Sequence, residues 1–336
     1  MREAILLVGG QGTRLRPLTD DTPKPMLSIA GAPITAHQLA KARAAGIDRI
    51  ILATSYLSNI FEPYFGDGSE FGVELVYALE TTPLGTGGAI ANAGKFLISP
   101  DDSPITIFNG DVLSGHDLTA QIRQHVETNA DLTLYLTEVA DARPFGCVPS
   151  DDSGRITDFL EKMPNPITNQ INAGCYVFRR SIIERIPRDA VVSVERETFP
   201  ELLSSGANVR AFVDTSYWLD LGTAQALVAG SRDLVLGLVN SGAVAPHSGP
   251  ALIAASASID ASAEVDGGSA IGRGCNIAAG AKVSGSVLLD NVQVGADARV
   301  IDSYIGENVR IGPGAILRGT AIGSGSTVLA HEQSDL

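Results

Sequence analysis

The sequence predicts an α/β fold, a Rossmann-like sheet that is mixed but mostly parallel, followed by a left-handed parallel β-helix. Three observations carry this. Apolar strand-like runs alternate with helical stretches up to about residue 220, and such alternation builds a parallel sheet covered by helices. A glycine-rich turn follows the first apolar run directly, as at the phosphate-binding end of such sheets. Beyond residue 250 apolar residues return at a period of six, the spacing of hexapeptide repeats that stack into a β-helix.

Strand-like runs fall at 5–8, 49–53, 73–78, 105–108, 131–139 and 175–178, with helical stretches such as 36–45 and 118–129 between them. Ligands of these sheets gather at the carboxyl ends of the strands. A helix from about 223 to 239 closes this part, and the Gly-, Pro- and Ser-containing stretch 240–250 changes the composition. The expected division is an α/β domain over 1–238, a linker over 239–252 and the β-helix over 253–332. In the last part apolar residues recur at Ile259, Val265, Ile271, Ile277 and Val283, and after a slip at Val294, Val300, Ile305, Ile311, Ile322 and Val328. Each points into a narrow triangular core, and with three hexapeptides per coil about 75 residues make roughly four coils.

Bulk composition excludes several classes. A net charge of −14 over 336 residues argues against nucleic acid, which demands a cationic footprint. Cys147, Cys175 and Cys275 lie far apart with no CxxC spacing, so neither a disulfide framework nor a metal knuckle is indicated. No apolar run reaches the ~18 residues of a membrane span. The first strand begins almost at Met1 and leaves no room for a signal peptide, so a reducing cytoplasm is the expected location. His37, His116, His125, His247 and His331 show no ligand spacing and read as ordinary surface or core residues.

The chemistry concentrates near the start. Ala4 to Val8 runs into Gly9-Gly10-Gln11-Gly12-Thr13-Arg14-Leu15-Arg16-Pro17-Leu18-Thr19, and Pro23-Lys24-Pro25-Met26 follows. Backbone groups of Gly9, Gly10, Gly12 and Thr13 can close around phosphate oxygens, because glycine allows φ > 0 and leaves no Cβ in the way. Arg14 and Lys24 add two cations to what reads as a triphosphate grip. It is no P-loop, which needs Gly-Lys-Ser/Thr, and no dinucleotide fingerprint, since Leu15 replaces the third glycine. Two carboxylates, Asp111 after the run 105–108 and Asp220 in Trp218-Leu219-Asp220-Leu221-Gly222, end apolar segments. Singly each reads as a cap or turn residue; brought to one rim they would hold Mg²⁺, which takes one or two carboxylates plus substrate phosphates.

The glycine turn resembles the signature of the sugar-1-phosphate nucleotidyltransferases, G-G-x-G-T-R-L-x-P-x-T followed by P-K-P, and meets every fixed position of it. Asn109-Gly110-Asp111 and Trp218 to Gly222 resemble the family's N-G-D and W-x-D-x-G segments, whose aspartates hold the catalytic magnesium. Phe159-Leu160-Glu161-Lys162 resembles F-x-E-K-P, with Met163 at the proline position. The resemblance implies that Lys162 binds the sugar phosphate and Glu161 a sugar hydroxyl. Phe145-Gly146 and Ile171-Asn172-Ala173-Gly174 resemble segments beside the sugar ring, which implies sugar contacts for Gly146 and Asn172. Leu79 to Ala89 corresponds to the base-reading loop, with Glu80, Gly85, Thr86 and also Gly110 as nucleotide residues. At the Glu80 position pyrimidine-using relatives often place Gln. A carboxylate only accepts hydrogen bonds, which suits the adjacent N1–H and N2–H of guanine and repels uracil or thymine O4.

Residues 192–200, with Ser193, Glu195, Phe199 and Pro200, resemble the S-x-E-x-x-x-F-P segment of the mannose-1-phosphate guanylyltransferases within this family. No role for Glu195 follows, and a helix capped by Ser193 is an equal reading. The activity implied is GTP plus α-D-mannose 1-phosphate giving GDP-mannose and diphosphate, with Arg14, Lys24, Asp111, Lys162 and Asp220 as catalytic residues and Mg²⁺ as cofactor. Glucose-1-phosphate thymidylyl-, uridylyl- or adenylyl-transfer on the same fold stays open, as do a non-catalytic nucleotide-sugar-binding homologue and acyl transfer. Substrates are small molecules, with no nucleic acid and no membrane as partners. The β-helix, through its open end and flat faces, is the expected surface for homo-oligomer formation.

Overall fold

Strand Glu3–Leu7 is the hub of the main sheet. Arg49–Thr54 and Pro104–Asn109 flank it, both parallel, and Glu74–Leu79 extends the sheet beyond Arg49–Thr54. The computed structural model describes residues 1–10, 12–54 and 58–335, apart from the side chains of Ser58 and Glu161. Contacts divide the chain into two compact units, Met1–Gly10 with Gln38–Trp218, and Gln11–His37 with Leu219–Leu336.

In the first unit a nine-stranded sheet, counted among the described residues, continues past Pro104–Asn109 through the antiparallel strand Gln170–Arg179. Leu132–Glu138 pairs with that strand and, in parallel, with Val209–Val213. The mixed, mostly parallel sheet expected from the alternation is therefore what forms. Ala4, Leu6, Ile50, Leu52 and Phe108 are buried on one face of the sheet, and Ile5, Ile51, Ile105, Ile107, Leu132 and Leu134 make the core on the other. Glu3 and Arg49 form an ion pair within it at 2.7 Å, and Glu3 also accepts the N–H groups of Ile98 and Ser99. Burial pushes the Glu3 carboxyl up, but its hydrogen bonds from Ser99, Ile98 and Arg49 outweigh that and hold it below its ordinary value. Removing one partner of a buried pair strands the other. Arg49→Met should therefore cost about 3 kcal/mol of stability, read from urea unfolding.

In the second unit, helix Ala224–Val235 starts where Thr223 accepts the Ala226 N–H at 3.1 Å. It ends four residues before the expected position. Beyond it come three parallel sheets of five strands each, among the described residues, consistent with a left-handed β-helix. That is five layers rather than four. Pairing joins residues 18 apart at first (Ala251 with Ser269, Glu264 with Lys282) and 17 apart from Ala270 with Val287 onward. The slip in the period is thus a repeated five-residue step, as from Val283 to Leu288 and from Leu317 to Ile322, and Leu288 and Leu317 are further lumen residues. Each short corner is closed by a hydroxyl. Ser269, Ser286 and Ser303 accept the N–H of Ser286, Ser303 and Thr320 in the next layer at 3.1 Å, which satisfies a buried backbone donor.

Candidate active site

The parallel strands bring their carboxyl ends to one edge of the sheet, so residues 8–10, Glu80 and residues 110–111 all leave from that edge. Gly9 and Gly10 are exposed there, Gly10 at φ +116°. Gly110 donates its N–H to the Leu7 carbonyl at 2.9 Å, and a Cβ on it would stand 2.4 Å from that oxygen. The turn so pinned presents Asp111, half-buried. Two residues earlier, Asn109 gives its Nδ2 to Tyr176 Oη at 3.4 Å, while its buried Oδ1 has no hydrogen-bond partner among the described residues.

A corner of the same sheet collects the residues assigned to the sugar. Glu161 aligns with Gly146, and Cys147 with Ile171. Lys162 follows at φ +51°, its N–H donated to the Phe145 carbonyl at 3.1 Å. The turn therefore closes although Met163 stands where a proline was expected. The Glu161 side chain lies outside the described residues. Asn172 donates to Tyr176 Oη at 3.0 Å and accepts the Gly174 N–H at 3.3 Å.

Glu80 is half-buried, and its Oε2 accepts the Leu84 N–H at 3.2 Å. Burial pushes its carboxyl up, only partly offset by that bond. The expected glycine-rich loop is instead the start of a helix, Gly85–Gly94. Its glycines admit residues 190–192. A Cβ on Gly85, Gly87 or Gly88 would stand 2.6, 2.7 or 2.4 Å from Val192 O, Val192 Cγ1 and Ala190 O. Thr86 Oγ1 donates to Glu195 Oε2 at 2.9 Å and accepts the Val194 N–H at 2.9 Å.

The second unit holds the remaining candidates. Gly12 sits at φ +58°, its carbonyl accepting Thr19 Oγ1 at 2.9 Å. Short 3₁₀ turns Thr13–Leu15 and Lys24–Met26 carry the cations, Arg14 exposed and Lys24 buried. The Lys24 turn is tied by Leu27 N–H to the Lys24 carbonyl and by Thr35 Oγ1 to the Pro25 carbonyl, both at 3.0 Å. A Cβ on Gly222 would stand 3.1 Å from Arg14 Nη2 and 3.2 Å from both Asp220 carboxylate oxygens. Glycine at that position leaves room for both side chains. Asp220 is half-buried, like Asp111. No group of three or more His, Cys, Asp or Glu that could hold a metal occurs among the described residues. Asp111 with the unsatisfied Asn109 oxygen in the first unit, and Asp220 in the second, each offer hard oxygen donors of the kind a divalent cation takes alongside phosphate and water.

A family model described as nucleotidyl transferase matches residues 3–235. The chain belongs to the nucleotidyl transferase family. A second model, described as the GMPPB C-terminal domain, matches residues 247–333. Among relatives, the mannose-1-phosphate guanylyltransferase of Mycobacterium tuberculosis is 48% identical over 296 residues, covering 88% of this chain and 81% of that one. The mannose-1-phosphate guanylyltransferase catalytic subunit beta of Drosophila melanogaster is 34% identical, covering 74% and 67%. The crystal structure of HddC from Yersinia pseudotuberculosis matches with a TM-score of 0.61 at 29% identity, over 70% of this chain and 100% of that one. Its complex with GMP-PN matches with a TM-score of 0.60.

Several features of this nucleotidyl transferase were not foreseen. Ser193 does cap, accepting the Arg196 N–H at 3.2 Å, but it opens a π-type turn, Val194–Thr198, ahead of helix Phe199–Ser204. That turn carries Glu195, whose Oε2 accepts both Thr86 Oγ1 and Ser193 Oγ, the latter at 3.1 Å. Tyr176 is fully buried, and burial first, then the Glu195 charge, pushes its hydroxyl well above the ordinary value. It therefore stays protonated between Asn109 and Asn172.

Behind Asp111, Gln38 donates to the Val112 carbonyl. Lys41 spends its three N–H groups on Ser114 O at 2.8 Å, Ser114 Oγ at 3.0 Å and His116 Nδ1 at 2.9 Å. Burial lowers Lys41 to about 8, and burial with the nearby Lys41 charge holds His116 at about 3. A neutral imidazole can thus accept from the ammonium and donate to Gln121 Oε1 at 3.1 Å. Lys41, Ser114 and Gln121 come from helix Ile34–Ala44, strand Val112–Ser114 and helix Leu118–Glu127, so no local spacing announces this relay.

Proposed function

We propose that this chain is a mannose-1-phosphate guanylyltransferase, joining GTP and α-D-mannose 1-phosphate into GDP-mannose with release of diphosphate. The observation that carries the reading is the 48% identity, over 88% of the chain, to the Mycobacterium tuberculosis protein of that name. A sugar phosphate is already ionised at pH 7, so no general base is required. Its oxygen attacks the α-phosphorus in line, and the protein supplies orientation and charge neutralisation.

In this reading the turn containing Gly9, Gly10, Gly12 and Thr13 receives the triphosphate. Arg14 offsets charge on the departing diphosphate, and Lys24 steadies the phosphates. Lys162 holds the nucleophilic phosphate, with Gly146, Glu161 and Asn172 around the sugar. Glu195, buttressed by Thr86 and Ser193, completes the polar wall beside Tyr176. Glu80 with Gly85, Thr86 and Gly110 addresses the nucleotide. Asp111 and Asp220 would hold the ion. Nucleotidyl transferases generally use a divalent metal; when bound here, Mg²⁺ would neutralise charge at the α-phosphate. The reading further assigns the protein to the cytoplasm and to a homo-oligomer built through its β-helix, for which a monomeric sedimentation mass is the contrary result. Among the described residues no helix is long and apolar enough to cross a membrane.

Turnover assays with GTP, dTTP, UTP and ATP against mannose 1-phosphate and glucose 1-phosphate test the assignment. The expected outcome is the highest kcat/KM for GTP with mannose 1-phosphate. A preference for dTTP or UTP would remove both the base assignment and the argument from Glu80.

A further inference from the structure

Tyr304 lies on the β-helix strand Tyr304–Ile305, where Ile305 fills the lumen and its neighbour faces the other way. The Tyr304 side chain is nonetheless fully buried, and its Oη donates to the Ser28 carbonyl at 2.8 Å, 276 residues away in the chain. Ser28 pairs with Pro33 in the hairpin that directly follows the Lys24 turn. The bend of that hairpin puts Ala30 at φ +46° and Gly31 at φ +79°, a two-residue turn with both central residues left-handed. An alanine held there is strained and persists only where its surroundings over-determine it. Here they do. Ser231 Oγ accepts the Ala30 N–H at 2.9 Å, and Leu252 Cδ2 stands 3.4 Å from where a Gly31 Cβ would be.

The loop is held on its other side as well. Gly323, buried in a later layer of the β-helix, lies against Pro17, so that a Cβ on it would stand 3.0 Å from Pro17 Cβ. Pro17 is three residues past Arg14. The β-helix and helix Ala224–Val235 therefore grip the segment between Pro17 and Gly31 at both ends, with Lys24 inside it and Arg14 just outside.

We propose that the β-helix is a working part of the nucleotide grip: Tyr304 and Gly323 are positioning residues that hold the loop bearing Arg14 and Lys24 in its triphosphate-binding shape. This rests on the reading that those two cations receive the triphosphate. The solenoid then contributes to nucleotide affinity without touching nucleotide.

Calorimetric titration of the full chain with GTP, without sugar phosphate, tests this on Tyr304→Phe, Gly323→Leu, Ile311→Val and Arg14→Ala, with Tm measured for each. Losing one hydrogen bond in Tyr304→Phe should raise Kd about three- to tenfold. Gly323→Leu, which must displace Pro17, should raise it by more than about tenfold. Ile311→Val trims the lumen and should lower Tm while leaving Kd unchanged. Native GTP affinity in folded Tyr304→Phe and Gly323→Leu, beside weakened binding in Arg14→Ala, would overturn the proposal and leave the active-site reading standing. Weakening in Ile311→Val equal to that in Tyr304→Phe would also overturn it, since general softening of the solenoid would then be the cause. Unchanged binding in Arg14→Ala would instead defeat the reading of the loop itself.

Discussion

Asp111→Asn is expected to lower kcat by a factor on the order of 10²–10³, the loss seen when a preorganised electrostatic partner is removed. The substitution keeps the shape of the side chain and removes its charge. Asp111 is half-buried on a turn held by the backbone, through Gly110 N–H to Leu7 O, so Tm should hardly move. KM for GTP should change far less than kcat if the carboxylate acts chiefly when charge redistributes around the α-phosphorus. Direct titration with Mg²⁺ in the presence of a non-reacting GTP analogue supplies a readout apart from turnover, and weakened ion binding is the expected result. A folded Asp111→Asn protein with native kcat would remove this carboxylate from the mechanism.

Acidification from neutral pH to about pH 4 is expected to strip most of the stability from the fold. His116 and His125 are buried, and burial above all, with the charges of Lys41 and Arg179 respectively, lowers them to about 3 and about 4. In the unfolded chain both return to about 6.5. Their folded values are depressed, so the unfolded state binds more protons in this window. The stability they allow is complete above about pH 6.5 and is lost as pH falls toward the folded values. At 1.36 kcal/mol per unit, each costs about 3 kcal/mol by pH 4. Together that is about 6 kcal/mol, a large share of the 5–15 kcal/mol typical of a domain. Urea midpoints should fall steadily from neutral pH down, and His125→Gln should flatten the slope. A profile level down to about pH 4.5 would show that these imidazoles titrate freely.

The sequence made the α/β frame legible because apolar runs such as 5–8 and 105–108 become strands buried on both faces, and burial of that kind writes itself directly into composition. The β-helix was legible for the same reason, one residue per wall pointing into the lumen. Its layer count was not, because the five-residue corner is stabilised by serine hydroxyls rather than by any apolar residue. Among the candidate residues, the signature turn was readable from local spacing, since Thr19 and Lys24 both pack against Gly12 within thirteen residues. The helix at Gly85 was missed because glycine density suggests a loop, while here it reflects the close approach of residues 190–192. Glu195 and the Lys41 relay were missed because their partners, Thr86 and Ser114, lie 109 and 73 residues away.

The serine and threonine ladder of the short corner constrains how this protein can change length. A single inserted residue in a wall would turn every later lumen side chain outward and break the stack of hydroxyls at once. Seventeen residues added or removed as a block would restore both, because the pattern above and below the cut would then agree. Evolution of the C-terminal part should therefore proceed by whole storeys, with loops extruded at the corners as the alternative outlet for extra sequence.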